Sequence, residues 1–156
     1  MMNTKILKVT LAAALLAFAA CGKKNANEVT ISHGPGDTVE IKDKDGKVAV
    51  TASDKGVALP GDFPKDVPVM KDAVVKMVAG AGDNQIVMLA VGAPVADVLA
   101  FYQENLKAQG WKIDATTNTG EGAMLNASKA GGQAMVTISR NGKETAIQLT
   151  VPKRKG

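Results

Sequence analysis

The chain has few of the side chains on which most catalytic and metal sites depend. Its 156 residues include one cysteine and one histidine, and aromatic residues make up only 3%. One cysteine cannot form an internal disulfide, and so few sulfur and imidazole ligands exclude an ordinary zinc site. The scarcity of aromatic rings leaves little material for a sugar-binding platform. We therefore predict no metal, no cofactor and no catalytic residue, and we do not expect an enzyme.

The first twenty residues have the pattern of an export signal. Lys5 and Lys8 precede an almost unbroken apolar run over residues 9–20, with the sequence VTLAAALLAFAA. A membrane-spanning helix needs about 20 apolar residues, so a run of this length fits the core of a signal peptide better. The run ends at Cys21. The pattern predicts that residues 1–20 are removed after export.

The position of the single cysteine adds a second prediction. Cys21 follows Ala19 and Ala20 and precedes Gly22, which resembles the lipobox of bacterial lipoprotein signal peptides. The resemblance implies that the thiol of Cys21 receives a diacylglyceryl group, that cleavage occurs just before it, and that the new amine is then acylated. Two or more acyl chains anchor a protein stably, so the expected partner is a lipid bilayer.

An ordinary secretory cleavage remains the alternative. Phe18 stands where the lipoprotein family favours leucine, and residues 17–19 also satisfy the small-x-small rule of secretory cleavage. That route would leave Cys21 as a free thiol in an oxidising compartment, which is unfavourable. By the enterobacterial sorting rule, Gly22 in place of an aspartate implies the outer membrane, with the protein facing the periplasm.

The charge balance of the mature chain does not suit nucleic acid. The whole chain has 19 basic and 15 acidic side chains, and loss of Lys5 and Lys8 leaves 17 against 15, or +2. So small an excess offers no basic footprint. Residues 152–156 contain a short basic tail, which we interpret as a solvated chain end.

The mature chain divides into segments of different character. We predict a flexible tether over residues 21–36 and a short β-hairpin segment over 37–56, because apolar and polar residues alternate across 28–52. The pair Asp43 and Asp45 fits a hairpin turn better than a calcium loop, which would need other residues at its fifth and sixth positions. Whether this segment packs on the main domain is left open.

Prolines at positions 60, 64 and 68 define the next segment. Proline every fourth residue forbids a helix and favours an extended path. Apolar side chains between the prolines, among them Phe63 and Val67, predict that this connector lies against the main body.

The main body, residues 57–151, combines strands with one helix. We predict strands over 74–79 and 85–91, a helix over 94–109, and four further strands to residue 151. The predicted fold class is α+β: an antiparallel sheet of about six strands, in the order strand-strand-helix-four strands, with one helix packed on one face and short strands before it. The apolar stripe of the helix is Val95, Val98, Leu99, Tyr102 and Leu106.

Two stretches of this body carry a family resemblance. The phrases LPGDFPKDVPVMKDAVV and AFYQENLKAQGW, the second with an FYxxxLxxxGW pattern, are similar to small uncharacterised bacterial lipoprotein domains. The resemblance spans residues 57–151 and implies the fold and the envelope location. It supplies no catalytic or binding residues.

No pattern of catalytic residues emerges from the remaining side chains. The carboxylates are dispersed, and Ser128 and Ser139 are far along the chain from His33. The glycines at 80 and 82 fit a hairpin turn better than a dinucleotide fingerprint. We interpret the methionines at 70, 77, 88, 124 and 135 as core filling instead of ligands for Cu(I).

Two functional hypotheses follow from these observations. The first is a non-enzymatic module of the bacterial envelope that binds another envelope protein. The second is a carrier or sensor of a small apolar molecule held between helix and sheet, suggested by the strand over 86–91, which is apolar on both faces.

Overall fold

The computed structural model describes residues 30–34, 38–42, 48–130 and 132–153, which form nine strands and one helix. In chain order the elements are β1 (Thr30–Gly34), β2 (Thr38–Lys42), β3 (Val48–Ala52), β4 (Val74–Ala81), β5 (Asn84–Val91), α1 (Val95–Ala108), β6 (Lys112–Asn118), β7 (Gly122–Lys129), β8 (Gly132–Asn141) and β9 (Glu144–Pro152). The proline-rich segment, residues 53–73, connects β3 to β4.

All nine strands belong to one antiparallel sheet, in the order β1-β2-β3-β4-β5-β9-β8-β7-β6. The predicted fold class, an α+β domain with about six strands, is therefore wrong: the chain is mostly sheet. The N-terminal strands do not precede the sheet but extend it, because β3 pairs with β4 through Val50, Thr51 and Ala52. This pairing satisfies the backbone groups of β4 that would otherwise form an open edge.

One face of the sheet is covered in part by the helix. α1 contacts β6, β7 and β8, and its buried residues are those of the predicted stripe. The helix begins after Pro94, whose fixed φ suits a helix start, and ends before Gly110, which has φ +81°. Its prediction over 94–109 is confirmed to within one residue at each end.

The proline-rich segment covers more of the same face. Val67 is buried in the core, and Phe63 packs against it, which confirms that this connector lies on the main body. Polar contacts fix its path: the Gln85 side chain donates to the carbonyl of Asp62 at 3.1 Å, and the Trp111 indole donates to the carbonyl of Asp66 at 2.9 Å. The connector is therefore a second cover beside the helix.

A lysine joins these two covers. Lys129 Nζ lies 2.7 Å from Asp66 Oδ2 and 2.7 Å from the carbonyl oxygen of Gln109, just after the last helical turn. It also lies 5.9 Å from the centre of the Trp111 ring, within the range of a cation–π contact. One side chain on β7 thus holds the connector and the helix end together.

The N-terminal strands can be placed on the predicted segments. Strand β1 lies inside the predicted tether of residues 21–36. β2 and β3 pair with each other inside the predicted hairpin segment, 37–56, and this pair joins the main sheet. Pro152, the first residue of the predicted tail, ends β9. The signal peptide, Cys21 and the pair Asp43 and Asp45 lie outside the described residues. Over the described ranges, the structure contains no helix that is both long and apolar enough to cross a membrane.

Candidate functional site

The space between the helix and the sheet is filled with side chains. Tyr102 and Leu106 from the helix and Leu125, Val136 and Leu149 from the sheet are all 0% exposed. They belong to one continuous core. A ligand at this position, as the second hypothesis placed it, would have to displace core side chains. Over the described residues, the helix side of the sheet is therefore a packing surface.

The one tyrosine of the chain lies in this core. Within the described residues, its hydroxyl makes no hydrogen bond of ordinary geometry, although the backbone of Met70 lies nearby. Burial raises the pKa of Tyr102 far above its ordinary range, and the Met70 backbone offsets only part of that effect. The hydroxyl therefore stays protonated under all physiological conditions and is not poised for acid–base chemistry.

The other face of the sheet, which we call the open face, is turned away from α1. Along β5 the buried residues Gln85, Val87, Leu89 and Val91 point to the core, and the residues between them point to the open face. The strand register aligns these residues into rows that cross the sheet. The methionine row runs through β4, β5, β9, β8 and β7 as Met77, Met88, Gln148, Thr137 and Met124.

A second row lies beside the first. This isoleucine row consists of Ala79, Ile86, Thr150, Met135 and Asn126. All ten side chains of the two rows are uncharged, whereas 22% of the whole chain is charged. When one face of an antiparallel sheet is covered and the other is solvated, the residues on the solvated face are normally polar. An uncharged solvated face rich in methionine is therefore unusual.

The position of the methionines corrects one interpretation. Met77, Met88, Met124 and Met135 lie on the open face and are absent from the core, so the assignment as core filling is wrong for these four. Met124 is 41% exposed. Only Met70, in the proline-rich segment, packs against the core.

The N-terminal strands continue the open face. Val39 and Ala52 extend the methionine row, and Ile41 and Val50 extend the isoleucine row. The opposite surface of these strands carries polar side chains, such as Glu40 on β2 and Thr51, which lies opposite Glu40 on β3. The apolar side of this ribbon is therefore the open side, which is the reverse of the arrangement under the helix.

The open face contains a depression. A cavity of about 420 Å³ is lined by residues of β2, β3, β4 and β5 and by Asn141 and Glu144 at the β8–β9 turn. Residues of six neighbouring strands therefore line one hollow, and we call this hollow together with the two rows the trough.

A larger cavity, which we call the end pocket, lies at one end of the strands β5, β9, β8, β7 and β6. It includes the start of β5, the end of β9 and the start of β8. Its volume is about 780 Å³. Thr150, Met135 and Asn126 belong both to this pocket and to the isoleucine row, so the pocket is continuous with the trough. Its polar lining includes Asp83, Asn84, Asp114, Asn126, Gln133 and Thr150.

A glycine keeps one wall of the end pocket closely packed. Both Gly132 and Pro152 line the pocket, and a Cβ on Gly132 would lie 2.7 Å from Cγ of Pro152. Any larger residue at position 132 would push the proline ring. The shape of this wall therefore depends on glycine at this position.

The predicted chemistry can now be placed on the structure. Asp66 is paired with Lys129, and Asp97 lies in the first turn of α1, whereas Asp83 and Asp114 line the end pocket together. Among the described residues, no three histidine, cysteine or carboxylate side chains form a cluster that could hold a metal ion. The absence of a metal, a cofactor or a catalytic group remains a prediction.

Sequence reasoning missed the open face and the end pocket. The strand over 86–91 is apolar on both faces, so its periodicity gives no sign of which side is covered. The end pocket gathers residues from positions 83 to 153, and only the strand order brings them together. The one available signal was the alternation of methionine with core residues along β5, β7 and β8.

A family model described as START domain-like matches residues 72–149, which is half of the chain and runs from just before β4 into β9. No curated protein and no solved structure matches the chain. The curved sheet with a single helix fits this family, and the match indicates a ligand-binding module. The chain belongs to the START domain-like family.

Proposed function

We propose that this protein is a non-enzymatic ligand-binding module of the bacterial envelope, and that its ligand lies in the trough of the open face. The observation that carries the proposal is the pair of uncharged rows on a face with a hollow, opposite a filled core. Contiguous apolar surface on a soluble domain is typical of a binding site.

The methionines support a ligand instead of a fixed structural contact. Methionine is unbranched and polarizable, so it adapts its shape to a bound molecule, and it is common on surfaces that bind apolar partners. Met77 and Met88 lie directly opposite each other on β4 and β5. Together with Ile86 they offer an apolar floor two strands wide, which Gln148 and Thr150 of β9 border on one side.

The non-enzymatic part of the proposal rests on residue chemistry. The chain has a single histidine, at position 33 on β1, and its described carboxylates are dispersed over strands, turns and the helix, with Asp83 and Asp114 together at the end pocket. No nucleophile with an adjacent base is evident among the described side chains. Binding is the activity that this arrangement supports best.

A charge introduced into the trough tests the proposal. Met124→Lys places an ammonium on the methionine row, and Leu59→Lys places the same charge on a residue of similar exposure, 37% against 41%, in the proline-rich segment. Native mass spectrometry of the full-length protein, released gently from its own envelope, would count bound molecules. We expect the wild type and Leu59→Lys to carry a small-molecule adduct and Met124→Lys to lose at least 90% of it.

The contrary results are equally clear. An adduct that survives Met124→Lys would place the ligand elsewhere, and the absence of any small-molecule adduct from all three proteins would contradict the proposal. An adduct with the mass of a second polypeptide would favour the first hypothesis, an envelope protein partner.

We propose, in addition, that acylated Cys21 anchors the module to the outer membrane on its periplasmic side. The support is the lipobox resemblance around the only cysteine of the chain. Growth of bacteria that express the protein with an alkyne-labelled fatty acid should label the wild type but not Cys21→Ala, and Cys21→Ala should leave the membrane fraction. Phe18→Leu restores the leucine that the lipobox favours and should retain the label. Equal labelling of Cys21→Ala would refute the anchor.

A further inference from the structure

The end pocket differs in chemistry from the trough that it joins. Its polar side chains carry carboxylates, amides, a hydroxyl and one ammonium, whereas the methionine row carries only two polar side chains, Gln148 and Thr137. The isoleucine row connects the two regions through Thr150 and Met135. A molecule that occupies both would need an apolar part and a polar part.

The charges of the pocket disfavour an anionic group. Asp83 and Asp114 are opposed by one lysine, Lys153, whose ammonium donates to the carbonyl of Gly82 at 2.8 Å. The described lining residues therefore have a net charge of −1, and their one ammonium already uses one of its three donor hydrogens. Asp114 in turn lies 3.8 Å from the ammonium of Lys112.

The amides of the pocket favour a group that both donates and accepts hydrogen bonds. Within the described part of the chain, the side-chain amides of Asn84, Asn126 and Gln133 bond to no other residue. Each amide offers an acceptor oxygen and two donor hydrogens, and each carboxylate offers only acceptors. A hydroxyl satisfies both kinds of partner, and several hydroxyls on one molecule would satisfy several of them at once.

We infer that the end pocket holds an uncharged, hydroxyl-rich head group, of the kind that a saccharide provides, on an amphiphile whose apolar chain lies along the trough. This inference rests on the proposed function, which places the ligand on the open face. With few aromatic rings in the chain, recognition of the head group depends on hydrogen bonds and not on stacking.

A head-group series tests the inference on the full-length protein in its own envelope membranes. The probes are a dodecyl maltoside, a dodecyl sulfate and a dodecyl trimethylammonium, each with a photoreactive diazirine in the chain and each used below its critical micelle concentration. We expect the maltoside to half-saturate labelling of the protein at a concentration at least tenfold lower than either charged probe.

Matched variants test the role of the pocket. Gln133 lines the end pocket, whereas Gln103, the matched control, lies on α1, outside both the pocket and the open face. Gln133→Leu should raise the half-saturating concentration of the maltoside about tenfold, which corresponds to about 1.4 kcal/mol, and Gln103→Leu should change it less than twofold. Differences in membrane partition between probes cancel in the ratio of each variant to the wild type. Asn84→Leu, at the exposed start of β5, serves as a second variant of the pocket and should raise the half-saturating concentration in the same direction.

The other outcomes are distinguishable. Equal labelling by all three probes, still lost in Met124→Lys, would overturn the head-group inference and leave the proposed function standing. Tightest labelling by the trimethylammonium probe would overturn it in favour of a cationic group. Competition by free maltose at the concentration of the maltoside itself would show a free saccharide and contradict the amphiphile. No labelling by any probe would contradict both proposals.

Discussion

The two faces of the sheet use the same strands for different purposes. On the helix side, Leu89, Leu125 and Leu149 belong to one core with the buried residues of the helix, and each is at most 2% exposed. On the open side, the neighbouring residues of the methionine row, such as Met88 and Met124, are uncharged and at least partly exposed to solvent. The residues alternate along each strand, so neighbouring positions in the sequence serve opposite faces.

This difference indicates that residues on the helix side stabilise the fold and residues on the open side serve binding. The helix side is rich in branched, well-packed residues, whose burial contributes most of the stability of a small domain. The open side is rich in methionine and small polar residues, which adapt to a partner but pack less tightly. Substitutions on the first face should therefore change the free energy of unfolding, and substitutions on the second should change binding.

The largest predicted effect compares two adjacent residues of β5. Leu89, 2% exposed, points to the core, and Met88 points to the open face. Leu89→Ala should lower the free energy of unfolding by about 3 kcal/mol, because it leaves a cavity in the core. Met88→Ala should lower it by about 1 kcal/mol or less. Urea unfolding followed by the fluorescence of the single tryptophan would measure both, and equal losses would break the comparison of the faces.

The next effect uses the buried tyrosine. Because burial raises the pKa of Tyr102, the folded chain keeps its proton at a pH where the unfolded chain, with an ordinary pKa of about 10, loses it. Stability from this residue is therefore complete below pH 10 and falls above it, by about 1.4 kcal/mol per pH unit. Tyr102→Phe should abolish that slope. Absorbance at 295 nm tests the point directly, since a tyrosinate signal that appeared before unfolding would contradict it.

A smaller effect on the free energy of unfolding concerns the contact between α1 and the proline-rich segment. Lys129→Met removes the ammonium that contacts Asp66 and the carbonyl of Gln109 but keeps a side chain of similar length. It should lower the free energy of unfolding by about 1 kcal/mol, the range of a partly exposed ion pair near a helix end. The loss should shrink in high salt. As a control, Lys112→Met, whose ammonium is exposed and 3.8 Å from its partner, should have almost no effect.

The smallest predicted effect on stability belongs to the open face. Met124→Lys, which should remove the ligand, should change the free energy of unfolding by less than about 0.5 kcal/mol, because the lysine side chain reaches water. A loss of several kcal/mol in urea unfolding would mean that the trough is part of the core and would undermine the separation of the two faces.

Local patterns in the sequence predicted the local structure well. The helix was placed within one residue at each end, because its apolar stripe, Pro94 and Gly110 are signals confined to the helix itself. The hairpin between β8 and β9 followed from Asn141 and Gly142, and Gly142 has the positive φ that such a turn requires.

Long-range features could not be predicted in the same way. The alternation over 28–52 showed strands but not that β3 would pair with the edge of β4, because no local signal specifies which strand is a neighbour. The end pocket could not be predicted for the same reason, because Asp83 and Asp114 line one pocket only as a result of the order of five strands. Predictions on the signal peptide and Cys21 concern residues that the structure does not describe.

The most direct test of the two-face account is to locate the bound ligand. The full-length protein in its own envelope would be labelled with the photoreactive dodecyl maltoside, and the labelled residues would be identified by peptide mass spectrometry. The account predicts attachment on the open face, at Met88, Met135 and their row neighbours. Attachment on α1 or on the core residues beneath it would contradict the account, because it would place the ligand between helix and sheet.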